Sequence, residues 1–459
     1  MNGKKVMVLG MARSGVAAAK LLSELGAYVR LNDQKTKEKL GDAVKPLEAC
    51  RNIEWRLGEP AEELLDGQDM LLISPGVPID SPVVKKAEEL GVEVIGELEL
   101  GFRTAKGLLV AITGTNGKTT TTTLVGEIFK NFGKQTYVVG NIGFPYTAVS
   151  GGMKEEDVTV CEVSSFQMES VKEFRPKVAA MLNITEDHLN RHYTMENYAA
   201  TKARIFANQT GDDEAVVLNY DDAAVQAMAK DVKCRVIWFS RKATPPFGAF
   251  VVNGNIVYGT AEEHVQICAA SDVYIPGPHN LENALAAAAM TMAAGVPVSC
   301  IGDTLRTFKG VEHRIEFVRE LDGVRFINDS KGTNADSTIK AVETMNKPTV
   351  MILGGSDKHV DFTAMCRIIK NSPYIRHVVL IGQTAAQLDE TLKKVGYTNY
   401  EHAGYDFEAA IQKAFSLAEE GGNVLLSPAC ASFDMFKDYE QRGEIFKNIV
   451  HGLKSRASD

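Results

Sequence analysis

The run Ala111-Ile112-Thr113-Gly114-Thr115-Asn116-Gly117-Lys118-Thr119-Thr120-Thr121 constrains this chain more than any other stretch. Before it lies the apolar Leu108-Leu109-Val110, which reads as a buried strand. After it, Leu124, Val125, Ile128 and Phe129 fall at the spacing of one helix face. A strand that breaks at glycines, passes through Gly-Lys-Thr and enters a helix is a phosphate cradle. Loop N–H groups and the helix N-terminus face the anion, Lys118 supplies a point charge, and Thr119 offers a hydroxyl to Mg²⁺. The loop is a variant. The G-x-x-x-x-G-K-[ST] pattern would put its first glycine at position 112, which is Ile112; here the glycine is Gly114.

With 459 residues the chain is long for one domain and comfortable for three. Its 45% hydrophobic and 24% charged residues are those of an ordinary globular protein. A formal charge of −9 argues against a nucleic-acid surface. The seven cysteines form no C-x-x-C pair, which favours buried thiols in a reducing compartment over disulfides or a metal site. The N-terminus starts a strand without a signal peptide's charged and apolar regions, and no apolar run reaches membrane-spanning length. The expectation is a cytoplasmic protein without membrane insertion.

Three segments are expected, all α/β: a Rossmann-like domain over 1–97, a central ATPase-type domain with a parallel or mixed sheet over 98–309, and a Rossmann-like C-terminal domain over 310–459. The first opens with the strand Lys4–Gly10, the turn Met11-Ala12-Arg13-Ser14-Gly15, a helix, and a strand ending Asn32-Asp33. An acidic residue about twenty positions past the glycine turn resembles a dinucleotide fingerprint. Ala12, however, stands where the middle glycine would let a pyrophosphate approach, so a βα turn holding some other phosphate or nucleotide fits better. A further strand, Met70–Ile73, runs into Ser74-Pro75-Gly76-Val77-Pro78 at the edge where such sheets take ligands; a plain proline turn is the alternative. The second segment shows strands at Thr136–Val139, Val158–Val163, Val178–Leu182, Ala215–Leu218 and Val236–Phe239; the third at Val324–Ile327, Thr349–Leu353, His377–Ile381 and Asn423–Leu426.

Several polar groups fall at strand ends. Glu162 closes an apolar strand and is placed to hold Mg²⁺; the alternative is a capping or first-turn acid for the next helix. His188 stands beside Glu186 and Asp187, as a structural histidine or part of a second metal site. Lys202 shares a helix face with Tyr198, Ile205 and Phe206. It either snorkels or is buried, and burial would favour a neutral amine able to form a carbamate with carbon dioxide. Asn280 and Asn283 lie one turn apart, as a cap or as readers of a nucleobase. Arg314 either reaches phosphates or pairs with Glu312. The stretches Asn328-Asp329-Ser330-Lys331-Gly332-Thr333-Asn334 and Ser427–Asp434 each follow a strand.

Together these motifs resemble the Mur ligase family over essentially the whole chain. The resemblance rests on Gly114-Thr115-Asn116-Gly117-Lys118-Thr119, Glu162-Val163-Ser164-Ser165, His279-Asn280-x-x-Asn283 and Glu312-His313-Arg314, in that order. The same loop variant occurs in folylpolyglutamate synthases. The Asn328–Asn334 stretch and the ending Leu426-Ser427-Pro428-Ala429-Cys430-Ala431-Ser432-x-Asp434-x-Phe436 resemble the D-glutamate-adding member, and the Asp-Asn-Pro-Arg of the diaminopimelate- or lysine-adding relative is absent.

The resemblance implies an ATP-dependent ligase that joins D-glutamate to UDP-N-acetylmuramoyl-L-alanine through an acyl phosphate, with two Mg²⁺ ions, acting as a monomer. It implies that Gly114, Thr115, Asn116, Gly117, Lys118, Thr119, Thr120, Asn283, Arg314 and Asp329 bind ATP. Thr119 with Glu162, and His188 with carbamylated Lys202, would hold the metals, and Lys118 joins these last three as catalytic. Arg13, Ser14, Gly15, Asp33, Gln34, Lys35, Ser74, Gly76 and Asn141 would meet the UDP substrate; Lys331, Thr333, Lys358, Ser432 and Phe433 would receive D-glutamate. The rivals are another amide ligase of folylpolyglutamate-synthase type, an NAD-dependent oxidoreductase built on 1–97, and a non-catalytic nucleotide switch.

Overall fold

Short apolar runs bounded by glycine or polar residues form the central strands of three sheets. The computed structural model describes residues 1–356 and 360–456. The first sheet is wholly parallel, in the order Ile53–Trp55, Tyr28–Asn32, Lys5–Leu9, Met70–Ile73, Glu93–Gly96. Val6, Met7 and Val8 are fully buried, because helices cover both faces of such a sheet. Strand order reverses between Lys5–Leu9 and Met70–Ile73, so Gly10 and Ser74 meet at the crevice where doubly wound sheets take ligands.

The second sheet has nine strands. Thr136–Gly140, Val158–Glu162, Leu108–Thr113, Val178–Met181, Ala215–Asn219, Arg235–Ser240 and Gly248–Val252 run parallel, and Asn255–Gly259 and His264–Ala269 continue antiparallel. The phosphate-loop strand lies between two neighbours, with Ile112 paired to Glu162 and Thr113 to Met181. The phosphate loop, Glu162 and the segment after Met181 therefore leave the sheet at one edge.

In the third sheet Glu316–Leu321 pairs antiparallel with Val324–Asn328. Asn423–Leu426, Thr349–Gly354, Ile375–Ile381 and Tyr400–Gly404 then follow in parallel. The late strand Asn423–Leu426 is inserted between Val324–Asn328 and Thr349–Gly354. The loops after Asn328, Leu426 and Gly354 thus emerge side by side.

The chain is a three-domain α/β protein. The first two sheets belong to one compact unit, Met1–Tyr274 with Asn280–Phe308; the third belongs to a second, made of Ile275–His279 and the chain from Lys309 onward. All seven cysteines are free thiols, and no helix among the described residues is long and apolar enough to cross a membrane. The unexpected strands are mostly edges: Ile53–Trp55, Glu93–Gly96, His264–Ala269, Glu316–Leu321 and Tyr400–Gly404. Edge strands face solvent along one side and carry polar residues that hide their period. The Gly248–Val252 and Asn255–Gly259 hairpin had a legible turn. Asn253 and Gly254 both take positive φ, 49° and 77°, as a two-residue Asn-Gly turn requires.

Candidate active site

Leu108–Thr113 ends at Gly114, and the helix Lys118–Asn131 starts after Gly117, whose φ of 83° is left-handed. A Cβ on Gly117 would lie 2.4 Å from Asn283 Oδ1, so this turn needs glycine for both conformation and space. The segment after Met181 braces the loop. The Asn183 amide accepts from Asn116 N at 2.8 Å and donates to Asn116 O at 3.0 Å; Thr115 Oγ1 accepts from Thr185 N and contacts the Tyr198 hydroxyl at 3.2 Å. Asn283 lies on the helix Pro278–Ala293 and accepts from Thr121 Oγ1 at 3.3 Å. Asn280 does not cap that helix, which begins two residues earlier; its Oδ1 accepts from Asn283 Nδ2 instead.

Lys118 turns back over its own loop and donates to Gly114 O (3.0 Å) and Thr115 O (2.8 Å). Lys202 donates to the same Gly114 O at 2.9 Å, and its amine lies 4.8 Å from the Tyr198 ring centre. Only 2% of Lys202 is exposed, so it does not snorkel. Burial pushes its amine well below the usual lysine range; nearby Lys118 adds to this, while Asp187 and Glu162 oppose it. Burial lowers Lys118 too, against the same two carboxylates. Two amines thus converge on one carbonyl, in the neighbourhood of two acids. The lysine-bearing helix runs Met195–Ala203 and tightens into a 3₁₀ turn over Arg204–Phe206, shorter than its sequence pattern suggested.

Glu162 is 1% exposed. Its Oε1 accepts from Asn141 Nδ2 at 2.7 Å, whereas its Oε2 is buried without a hydrogen-bond partner. It does not cap the following helix, because Ser164 and Gln167 form a capping box there. A buried carboxylate oxygen without a partner, beside a phosphate loop, suits a hard cation. Thr119 stands in the first turn of the loop helix. His188 is half-exposed, with φ 53°; its Nε2 lies 3.5 Å from Asp187 Oδ2 and its ring 4.8 Å from the Phe166 ring.

In the first sheet's crevice, Asp33 braces backbone, accepting from Met11 N at 2.7 Å and Lys35 N at 2.8 Å. Ser74 Oγ donates to Gly10 O at 2.9 Å, and Arg13 donates to Gly143 O at 2.7 Å. A cleft of about 210 Å³ is lined by Arg13, Ser14, Pro75, Glu97, Asn141 and Gln167 among others. Gly15 is buried at the start of its helix, while Gln34, Lys35 and Gly76 are exposed.

At the third sheet's edge, Arg314 pairs with Asp329 at 3.3 Å, and Glu312 pairs with Lys447 instead. Asp329 is fully buried and also accepts from Ile315 N and from Ser427 Oγ. Burial raises its carboxyl, against the pull of Arg314. Lys331 Nζ lies 3.3 Å from the Tyr439 hydroxyl, Thr333 N donates to Lys331 O, Ser432 is buried, and Phe433 is 73% exposed. Lys358 lies outside the described residues.

Family models match in three successive stretches: the Mur ligase MurD-like N-terminal domain over residues 4–96, the Mur ligase middle domain over 112–291, and the Mur ligase glutamate ligase domain over 313–430. The UDP-N-acetylmuramoylalanine–D-glutamate ligase of Thermoanaerobacter sp. (strain X514) is 47% identical over 459 residues, covering 99% of each chain. This chain belongs to the Mur ligase family. The enzyme of the same name from Clostridioides difficile (strain 630) is 45% identical over 455 residues, covering 99% of this chain and 100% of its own. Among solved structures, UDP-N-acetylmuramate–alanine ligase of Thermotoga maritima superposes with a TM-score of 0.60 at 18% identity, over 98% of this chain and 100% of its own. The Thermotoga maritima MurF ligase in complex with ADP gives 0.58 at 17%, over 98% and 96%.

Two features of this Mur ligase escaped the sequence reading. Asn183 was one polar residue among several after a strand, with nothing to reveal its double bond to Asn116. His192 had no motif; it is 5% exposed, with Nε2 2.9 Å from Ser165 Oγ and its ring against Phe166 and Tyr198.

Proposed function

We propose that this Mur ligase joins D-glutamate to UDP-N-acetylmuramoyl-L-alanine at the expense of ATP, releasing ADP and phosphate, in cytoplasmic peptidoglycan precursor synthesis. The observation that carries this reading is full-length identity of 45–47% to relatives bearing that name. In this reading, residues 1–97 hold the UDP moiety, 98–309 hold ATP, and 310–459 hold the amino acid.

A carboxylate is a poor electrophile, so phosphorylation of the L-alanyl carboxylate by the ATP γ-phosphoryl group comes first. The D-glutamate amine then attacks the acyl phosphate, loses a proton, and expels phosphate from a tetrahedral intermediate. No protein nucleophile is required; positioning and charge neutralisation do the catalysis. Gly114, Thr115, Asn116, Gly117 and Thr120 present loop and helix N-terminus to the triphosphate. Lys118 leaves its loop carbonyls for the β- and γ-phosphates, and Asn283, Arg314 and Asp329 orient the nucleotide. Arg13, Ser14, Gly15, Asp33, Gln34, Lys35, Ser74, Gly76 and Asn141 meet the UDP substrate. Lys331, Thr333, Lys358, Ser432 and Phe433 receive D-glutamate, whose two carboxylates suit cations and hydroxyls.

The unpartnered Glu162 Oε2 fits magnesium, which Thr119 and Glu162 would hold. His188 and carbamylated Lys202 would hold a second ion, the pair neutralising charge on the transferred phosphoryl group. The Lys202 amine is suited to carbamylation because burial disfavours its charged form. Its lone pair adds to the carbon of carbon dioxide, an N–C bond forms as one C=O π pair moves onto oxygen, and the nitrogen loses a proton to solvent, leaving an anionic carbamate.

Phosphate release measured with each substrate combination tests the assignment. Turnover is expected only with UDP-N-acetylmuramoyl-L-alanine and D-glutamate together. Release without either, or free replacement of D-glutamate by lysine, would sink it. Sedimentation of the purified protein is expected to give a monomer.

A further inference from the structure

Among the described residues, Arg442 is the largest side chain to be wholly buried, at 0% exposure. It makes no ion pair within this group. Its Nε donates to Ser330 Oγ at 2.9 Å, and its terminal nitrogens donate to Ser330 O at 2.7 Å, to Cys430 O at 3.2 Å and to Ala431 O at 3.4 Å. A buried guanidinium whose hydrogen bonds all go to neutral oxygens is costly, and a well-packed apolar residue would often stabilise the fold more. The planar fork does what an apolar side chain cannot: it fixes several backbone carbonyls at once.

Those carbonyls belong to two loops made adjacent by the inserted strand Asn423–Leu426. One carries Lys331 and Thr333, the other Ser432 and Phe433. A third loop joins them, since Ser356 N donates to Ala431 O at 2.9 Å. One turn before Arg442 on the helix Tyr439–Gly452, Tyr439 O accepts from Ser330 Oγ at 2.8 Å, and the Tyr439 ring centre lies 5.3 Å from the Lys331 amine. Asp329 has hydrogen bonds of its own to Arg314, Ile315 N and Ser427; Arg442 gives it none and acts on it through charge.

We infer that Arg442 is a positioning residue for the amino-acid substrate, locking the Ser330–Thr333 and Cys430–Phe433 loops into one receiving surface. The inference rests on the D-glutamate assignment above. Because a lysine at 442 keeps the charge that Asp329 feels and Asp329 keeps its own hydrogen bonds, loss of the fork separates amino-acid binding from nucleotide binding. In phosphate-release kinetics, Arg442→Lys keeps a charge but loses the fork. It should raise KM for D-glutamate by about tenfold or more, with KM for ATP within about twofold of wild type. An unchanged D-glutamate KM, or equal rises in both, overturns the inference. If Arg442→Lys does not fold, Ser330→Ala carries the same test, since it removes the Nε acceptor and the tie to Tyr439; an unchanged D-glutamate KM there overturns the inference equally. Wild-type turnover that ignores D-glutamate would instead refute the substrate assignment, so the two failures are distinguishable.

Discussion

The phosphate-loop edge and the third-sheet edge handle buried charge in opposite ways. At the phosphate loop, two amines share Gly114 O while Glu162 Oε2 has no partner. At the third sheet, Asp329 has three supports and the Arg442 guanidinium is bonded at every nitrogen. The first arrangement leaves a buried carboxylate oxygen without a hydrogen-bond partner. The second is bonded throughout and serves as a frame. Truncation should therefore cost activity but little stability in the first region, and cost stability in the second.

Four measurements bear on this contrast. Glu162→Gln should lower phosphate release by about 10³-fold, as for loss of a principal electrostatic stabiliser, while the unfolding midpoint stays level or rises. A fall of several degrees would break the comparison. Lys202→Ala should lose roughly 10²-fold and regain part of it with acetate or another small carboxylate; unimpaired activity would reject the carbamate. Gly443→Ala should lower stability by about 1–2 kcal/mol in thermal unfolding, although alanine ordinarily favours a helix over glycine. Its Cβ would lie 2.2 Å from His313 Nδ1, in a ring already bonded to Asn328; a stabilised variant would show that the frame is looser than drawn.

The smallest effect concerns His279, both of whose ring nitrogens are buried without partners. Burial, with Arg314 and Lys340 nearby, lowers its pKa to about 3. Between its unfolded value near 6.5 and that figure, only the unfolded chain takes up a proton, so stability falls as pH falls through this window. His279→Phe should lose less of its unfolding midpoint than wild type between pH 7 and pH 5. Equal losses would remove His279 from the account.

The nucleotide half was legible because its chemistry is contiguous in sequence: Gly114 to Thr120 is one turn of chain with one task. Glu162 was legible as a strand-end carboxylate, but setting aside the cap required seeing Ser164 take it. Arg314 was ambiguous until Asp329 proved to be its partner and Lys447 that of Glu312. Arg442 carries no sequence signal of its own. Its partners lie 112 and 12 positions away, and only the insertion of the last strand between two earlier ones brings them together. Edge strands such as Tyr400–Gly404 were invisible for a simpler reason: half-exposed strands lack the apolar runs that mark central ones.

Lys118 has two oxygen partners within its own loop, Gly114 O and Thr115 O. The loop is thus a competitive occupant of its own cation. On the proposed nucleotide reading a triphosphate displaces these bonds, and measured affinity is the intrinsic one scaled down by the fraction of molecules with Lys118 released. A compound that met the loop N–H groups and left that amine in place would bind without this competition.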